Sequence, residues 1–545
     1  MTSMEDPGPE VPPGSERLDP PAPPHPAGPA SAPREGRAPR LWSRVVRLED
    51  GLDPLSLAGE DGFVWSSPAG TLVGTGIVAK VPVGTGPGRI ERAAEAVAAL
   101  LAAVDIEDPD GTGLGPAAVG ALPFHPATPG ELVVPALLLR ADPTGRTWAV
   151  LTEPGPFDPP AAADLVAGLR ASAVGDHRWP PARRLDGPWP IAGSVPGGGG
   201  SGSAAPGGGS GSAAPGDGLW TAPDPERPGG LPSRSGAPPA GGGAGARPPG
   251  GPGALSVPGG RGASPDGSGA GPDGSGDQPE PSRHEAWRTG VRAALEAIGT
   301  GRLDKVVLAR EAAVEADWPF PRVEVLRRLR RRGGGSTFLY ASGGFVGASP
   351  ELLVRRRGRV AVSRPMAGTV PTGDSAADEA GGLARLTRSP KEGVEHRLVV
   401  DAVAEGLAKV ADRVRVGRPE VVRLATVAHL ATEITADLTG PLPTALELAG
   451  LLHPTPAVGG SPRDAALAAI AALEPFDRGC YAGPIGWVDH TGDGEWAVAL
   501  RGATLDGRRA HLLAGAGIVP GSDPDAEWVE TEHKLRAMLE VLLTP

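Results

Sequence analysis

The chain has 545 residues, of which 84 are Gly and 65 Pro, so a large share of it cannot bury a core. A formal net charge of −12 with no long basic run argues against nucleic acid as a partner. The single cysteine, Cys480, excludes an internal disulfide framework and suits a reducing cytoplasm, and no apolar run reaches the roughly 18 residues of a membrane span.

Residues 1–40 are Pro-rich, have no hydrophobic period and no charged-then-apolar signal pattern; they are expected to be disordered. Residues 41–185 form the first ordered part. Strands are expected at 42–48, 61–65, 71–78, 117–124, 132–139 and 147–151, with one helix at 89–104. This half holds no cluster of chemically capable residues and reads as scaffold. Residues 186–283 carry the repeat GGGSGSAAPGGGSGSAAPG and PDGSG twice, and read as a flexible insertion that loops out of the fold. Trp220 inside it is at most a weak docking point.

Residues 284–545 resume the fold. Helices are expected at 284–299, 321–331, 443–452 and 462–473, the last capped by Ser461 with Asp464 at its third position. Strands are expected at 305–309, 336–341, 344–347, 359–363, 421–424, 428–436, 485–489, 496–505 and 509–516. Ser389, Pro390 and Glu392 spell a capping box and an N1 proline for a helix running to about 410. Asp523 and Pro524 start a final helix in the same way. Strands dominate without regular βαβ alternation, which predicts an α+β fold with mostly antiparallel sheet.

The chemistry is concentrated in this second region. In GAGIVPGSDPDAEWVETEHKL, Gly515 and Gly517 allow close backbone approach, and spacings of three and four put Glu527, Glu530 and Lys534 on one helix face. Two carboxylates and an ammonium near a glycine turn suit a divalent cation and an anionic ligand; a solvated acidic face is the plainer alternative. Lys305 opens the apolar strand KVVLA, where desolvation would make it a usable base, or where it simply reaches solvent. Glu351 in GASPELL is a candidate general acid or a turn carboxylate capping amides. Glu395 is a candidate metal ligand together with Glu530. Arg501 in AVALRGA is costly to bury unless it meets an anion. His429 in HLATEI reads more readily as a satisfied core histidine than as a catalytic one.

Taken together, KVVLAR, GASPELL, PMAGT, KEGVEH, HLAT, LHPTPAVGGSP, EPFDRG, YAGPIGW and GAGIVPGSDPDAEWVET resemble the chorismate-utilising enzymes, and most of all the isochorismate synthases, in the family's order from Lys305 to Lys534. The resemblance implies one chorismate-binding-enzyme fold: two large, mostly antiparallel sheets with outer helices and the active site between them. It implies Mg2+ and the conversion of chorismate to isochorismate. Lys305 would activate water for attack at C2, and Glu351 would protonate the departing C4 hydroxyl. Glu395 and Glu530 would hold Mg2+, with Glu527 adjacent. Arg501 and Lys534 would receive the enolpyruvyl carboxylate, Gly368, Gly515 and Gly517 would give close backbone contact, and His429 would line the pocket. Lys305 and HLAT separate this chain from the anthranilate branch. The rival within the class is a salicylate synthase, which eliminates pyruvate. A rival of another class is a silent scaffold using the Gly/Pro/Ser segments, against which the intact Lys305, Glu351, Glu395 and Glu530 argue. The architecture without attached carrier or lyase domain points to menaquinone supply ahead of siderophore or salicylate supply. A cytoplasmic monomer is expected.

Overall fold

A computed structural model describes residues 40–172, 179–185, 282–332, 337–372, 376–424 and 426–544. The expected disordered tail and the low-complexity insertion with Trp220 lie outside these residues. The expected α+β class holds. One sheet has thirteen strands and another nine, and a third, of three strands, was not expected from the sequence. Among the described residues the only parallel pairing is Leu41–Arg47 with Asp105–Glu107; the other pairings are antiparallel, as in Lys305–Ala316 with Arg509–Ile518 over ten residue pairs. None of the described helices is long and apolar enough to cross a membrane.

The two large sheets pack face to face. Phe63, Trp65, Leu72 and Tyr340 from the larger sheet interdigitate with Val119, Leu352, Ile485 and Trp487 from the smaller. Helices Arg322–Arg332 and Pro524–Leu543 cover one side of the larger sheet through Leu326, Leu329, Leu535 and Met538. Helices Arg89–Ala102, Pro390–Ala408 and Ala445–Leu452 share a cluster with Val354, Ile434 and Trp496 of the smaller sheet.

Several expected strands turn out to be two. The run at 132–139 splits into Gly130–Val134 and Leu137–Ala141, and the run at 71–78 holds only Gly70–Thr75, followed by the unread strand Ala79–Val83. The run at 428–436 becomes Val427–Ala431 and Ile434–Leu438, and that at 496–505 becomes Gly494–Val498 and Gly502–Asp506. In every case the two halves belong to different sheets. The apolar run is continuous because both sides of the crossing are buried, so composition carries no mark of the break. The same crossing separates Phe345–Ser349 from Leu352–Arg357, with Pro350 and Glu351 between them. Glu351 and Arg501 both sit at such crossings, between strands of the two large sheets.

Smaller differences have local causes. Helices Ala162–Ser172 and Ala376–Arg388 and strand Met366–Pro371 went unread, being short or rich in Ala and Gly. Ser461 does not cap helix Arg463–Leu473: Pro462 is its N-cap, and Ser461 pairs with Lys305 while its hydroxyl donates to Asp304. Ser389 does accept from Glu392 N–H, but the reciprocal half of that box is not made; the Glu392 carboxylate accepts instead from Thr369 N–H at 3.2 Å.

Candidate active site

Strand Lys305–Ala316 starts at Lys305, which pairs with Ser461, and on its other edge Val307 and Ala309 pair with Gly517 and Gly515 of Arg509–Ile518. Lys305 is fully buried, and its Nζ donates to Glu395 Oε1 at 2.8 Å. Glycine at 517 makes this contact possible, because a Cβ there would stand 2.5 Å from Glu395 Oε1 and 3.0 Å from Lys305 Cε. Its backbone is not in the left-handed region, so alanine would fit the strand and fail only against these two side chains. We expect Gly517→Ala to lower kcat/KM about 10²-fold, as a displacement of roughly 1 Å in a catalytic contact does, with the circular-dichroism spectrum unchanged. An unaltered kcat/KM would separate the Lys305–Glu395 contact from activity.

The opposite wall comes from the sheet crossings. Glu351 is buried, and its backbone is pinned by Ser349 Oγ and by Val498 N–H. Burial pushes its carboxyl up to about 7, against the opposing pull of Met366 N–H, Lys305, Arg501 and Lys534. Arg501 is not inside a strand, as its apolar flanks suggested. It sits at the break after Gly494–Val498 with φ of 54°. Among the described residues only Ala482, with φ of 63°, shares that non-glycine conformation, and Ala482 N–H donates to Ala499 O beside it. Two strained residues facing one cavity mark a place where the surrounding structure enforces geometry.

His429 is buried as expected, but it is part of the wall. Its Nδ1 lies 3.0 Å from Gly368 O, which makes that nitrogen the donor, so Nε2 accepts from Arg501 Nη2 at 3.1 Å. Burial, Arg501 and Lys534 hold its imidazole at about 3, neutral at any working pH. The histidine therefore aims the guanidinium as a neutral imidazole, its one ring proton held on Nδ1. Gly368 has φ of 73°, and a Cβ there would meet Glu392 Oε2 at 2.9 Å.

Helix Pro524–Leu543 starts as read: Asp523 accepts from Asp525 and Ala526 N–H, with Pro524 at N1. Lys534 Nζ donates to Gly515 O at 2.9 Å and to Glu530 Oε1 at 2.6 Å. Glu527 is buried and accepts from Lys391 Nζ at 3.1 Å.

One cavity is lined by Glu351, Gly368, Glu395, His429, Arg501, Gly515, Gly517 and Lys534. Lys305 and Glu530 stand one contact behind it, through Glu395 and Lys534, and Glu527, held by Lys391, does not line it. Among the described residues no group of three or more His, Cys, Asp or Glu side chains stands ready to hold a metal. Lysines engage Glu395, Glu527 and Glu530 instead. The local charge is nonetheless that of a cation site. Burial and then the carboxylates of Glu395 and Glu530 push Glu392 up to about 7, and burial and then Glu530 raise Glu527. Burial also works to raise Glu395, but Lys305, Lys534 and Lys391 outweigh it and leave that carboxyl below its ordinary value. Donors that are all carboxylate oxygens suit a hard divalent cation.

Three residues were missed as parts of this site. Glu392 looked like one half of a capping box, and Lys391 entered only as the first residue of KEGVEH. Arg478, which also lines the cavity, spends its guanidinium on Glu474, Val458 O and Val307 O, tying down the strand of Lys305. In the sequence only its place in EPFDRG singles it out.

This fold and this site define a chorismate-binding enzyme: residues 272–543 match the family model described as "Chorismate binding enzyme", and the chain belongs to that family. The isochorismate synthase DhbC of Bacillus subtilis (strain 168) is 41% identical over 269 residues, which are 47% of this chain and 68% of that protein. The isochorismate synthase EntC of Escherichia coli (strain K12) is 42% identical over 255 residues, 46% of this chain and 64% of that protein. The crystal structure of DhbC from Bacillus anthracis superposes with a TM-score of 0.58 at 26% identity, covering 89% of this chain and 96% of that one.

Proposed function

We propose that the protein converts chorismate to isochorismate by adding water at C2 of the ring and releasing the C4 hydroxyl as water. The observation that carries this reading is the pair of proton-handling groups on separate supports. Lys305 stands on a strand of the larger sheet. Glu351 stands at a crossing between sheets, its carboxyl held up to about 7. A hydroxyl exchange needs one group to take a proton from the entering water and another to give one to the departing oxygen. In this reading Lys305 is the base and Glu351 the acid. As a base Lys305 must act as the neutral amine, which can still donate to Glu395 while its lone pair takes the proton from water. Arg501, aimed by His429, and Lys534, aimed by Gly515 O and Glu530, receive the enolpyruvyl carboxylate. The backbone at Gly368, Gly515 and Gly517 sets how closely the ring approaches.

The proposal includes Mg2+, held by Glu395 and Glu530 with Glu527 adjacent. When bound it would neutralise the ring carboxylate. The gathering of the carboxylates Glu392, Glu395, Glu527 and Glu530, whose mutual repulsion adds to burial in raising Glu392 and Glu527, supports this assignment. We expect EDTA to abolish turnover and added Mg2+ to restore it. Turnover in H2 18O tests the chemistry itself: isochorismate should carry one 18O at C2. Product without label would rule out attack by solvent water.

A further inference from the structure

Resting on the cation site proposed above, we propose that Lys391 is a resident counter-cation that competes with the divalent cation for Glu527 in the substrate-free protein. Lys391 is the second residue of helix Pro390–Ala408. That is an unfavourable place for a cation, because the helix dipole presents partial positive charge there. What offsets this lies ahead of the helix end. Lys391 Nζ is 3.1 Å from Glu527 Oε1, and Glu392 and Glu530 also act on it. It lies four residues before Glu395, so the two share a helix face.

The charges facing this space come from helices Pro390–Ala408 and Pro524–Leu543, strand Lys305–Ala316 and the break at Arg501, with the Glu351 carboxyl, held up to about 7, beside them. Glu392, Glu395, Glu527 and Glu530 supply four carboxylates, and Lys305, Lys391, Lys534 and Arg501 supply four cations. As it stands the set balances, and a divalent cation entering alone leaves an excess of positive charge. Withdrawal of one ammonium removes half of that excess. The Lys305 side chain is 0% exposed and that of Lys534 13%, whereas that of Lys391 is 38% exposed. Only Lys391 reaches its carboxylate from the solvent side, and its flexible stem lets the ammonium swing back into water. It stands where cation charge is needed and is the group best able to withdraw.

The test is Mn2+ binding, followed by electron paramagnetic resonance of the free ion, on the full chain without chorismate. Wild type, Lys391→Met and Lys391→Arg are compared, with thermal melts to confirm folding. Lys391→Met should bind Mn2+ about 5- to 10-fold more tightly, the scale of removing one nearby like charge at a partly exposed site. Lys391→Arg should bind like wild type. Unchanged affinity in Lys391→Met would make the contact a passive surface pair, and weaker binding would make Lys391 an organiser of Glu527; either overturns the proposal. If neither wild type nor Lys391→Met binds Mn2+, the cation site itself is wrong, a failure distinct from that of Lys391.

Discussion

Lys305→Gln should lower kcat by about 10²- to 10⁴-fold, the range attributed to one positioned acid–base group. KM for chorismate should change far less, because Arg501 and Lys534 stay in place to hold the carboxylate. Glutamine is the informative substitution. Its amide can still donate to Glu395, so the buried carboxylate keeps a partner, but it takes no proton at working pH. Lys305→Ala removes the partner as well and leaves Glu395 buried and uncompensated, a change that typically destabilises by about 3–5 kcal/mol. If Lys305 is the base, both variants lose turnover, while only the alanine variant loses a large part of its melting temperature. Turnover within a factor of ten of wild type in Lys305→Gln would remove Lys305 from the proton-transfer chemistry.

Glu351→Gln should fall by a similar factor in kcat while the protein becomes more stable. The sign follows from linkage. The carboxyl titrates at about 7 in the folded chain, against an ordinary 4.5. Between these values the folded state holds a proton that the unfolded state has released. Folding therefore loses stability as pH rises from about 4.5 to about 7, and above that the full penalty, about 3 kcal/mol, is in place. Glutamine keeps the shape and carries no charge, so this penalty disappears, and the gain in melting temperature should be large at pH 8 and small at pH 4.5. The same titration shapes activity: an acid must be protonated to act, so wild-type kcat/KM should fall tenfold per pH unit above about 7. A variant that is both inactive and less stable at pH 8 would show that Glu351 is structural.

Residue types at the site were legible because their chemistry is conspicuous against this background. A lysine opening KVVLA, a glutamate inside GASPELL and an arginine inside AVALRGA each stand among small apolar neighbours. The helix starts at Asp523 and Ser389 were legible from local hydrogen-bond chemistry alone. The relation between the pieces was not. Burial on both sides of a sheet crossing hides the crossing, so Arg501 read as a strand residue and its left-handed backbone was invisible. Gly515 and Gly517 read as points of close approach, yet nothing local says that Val307 and Tyr481 crowd the first and Glu395 and Lys305 the second. Glu392 fitted a capping box so well that its carboxylate was assigned to the wrong amide; the competing acceptor site, Thr369 N–H, comes from a strand more than twenty residues away. Contacts of that range are set by topology, which composition and period do not encode.

The most direct test of the central claim is product analysis. Purified full-length protein is incubated with chorismate and Mg2+, and the mixture is resolved by chromatography, with pyruvate assayed in parallel. Isochorismate with no pyruvate is the expected result. Salicylate with one equivalent of pyruvate would place the chemistry with elimination instead, and no consumption of chorismate by a folded sample would contradict the assignment of Lys305 and Glu351 altogether.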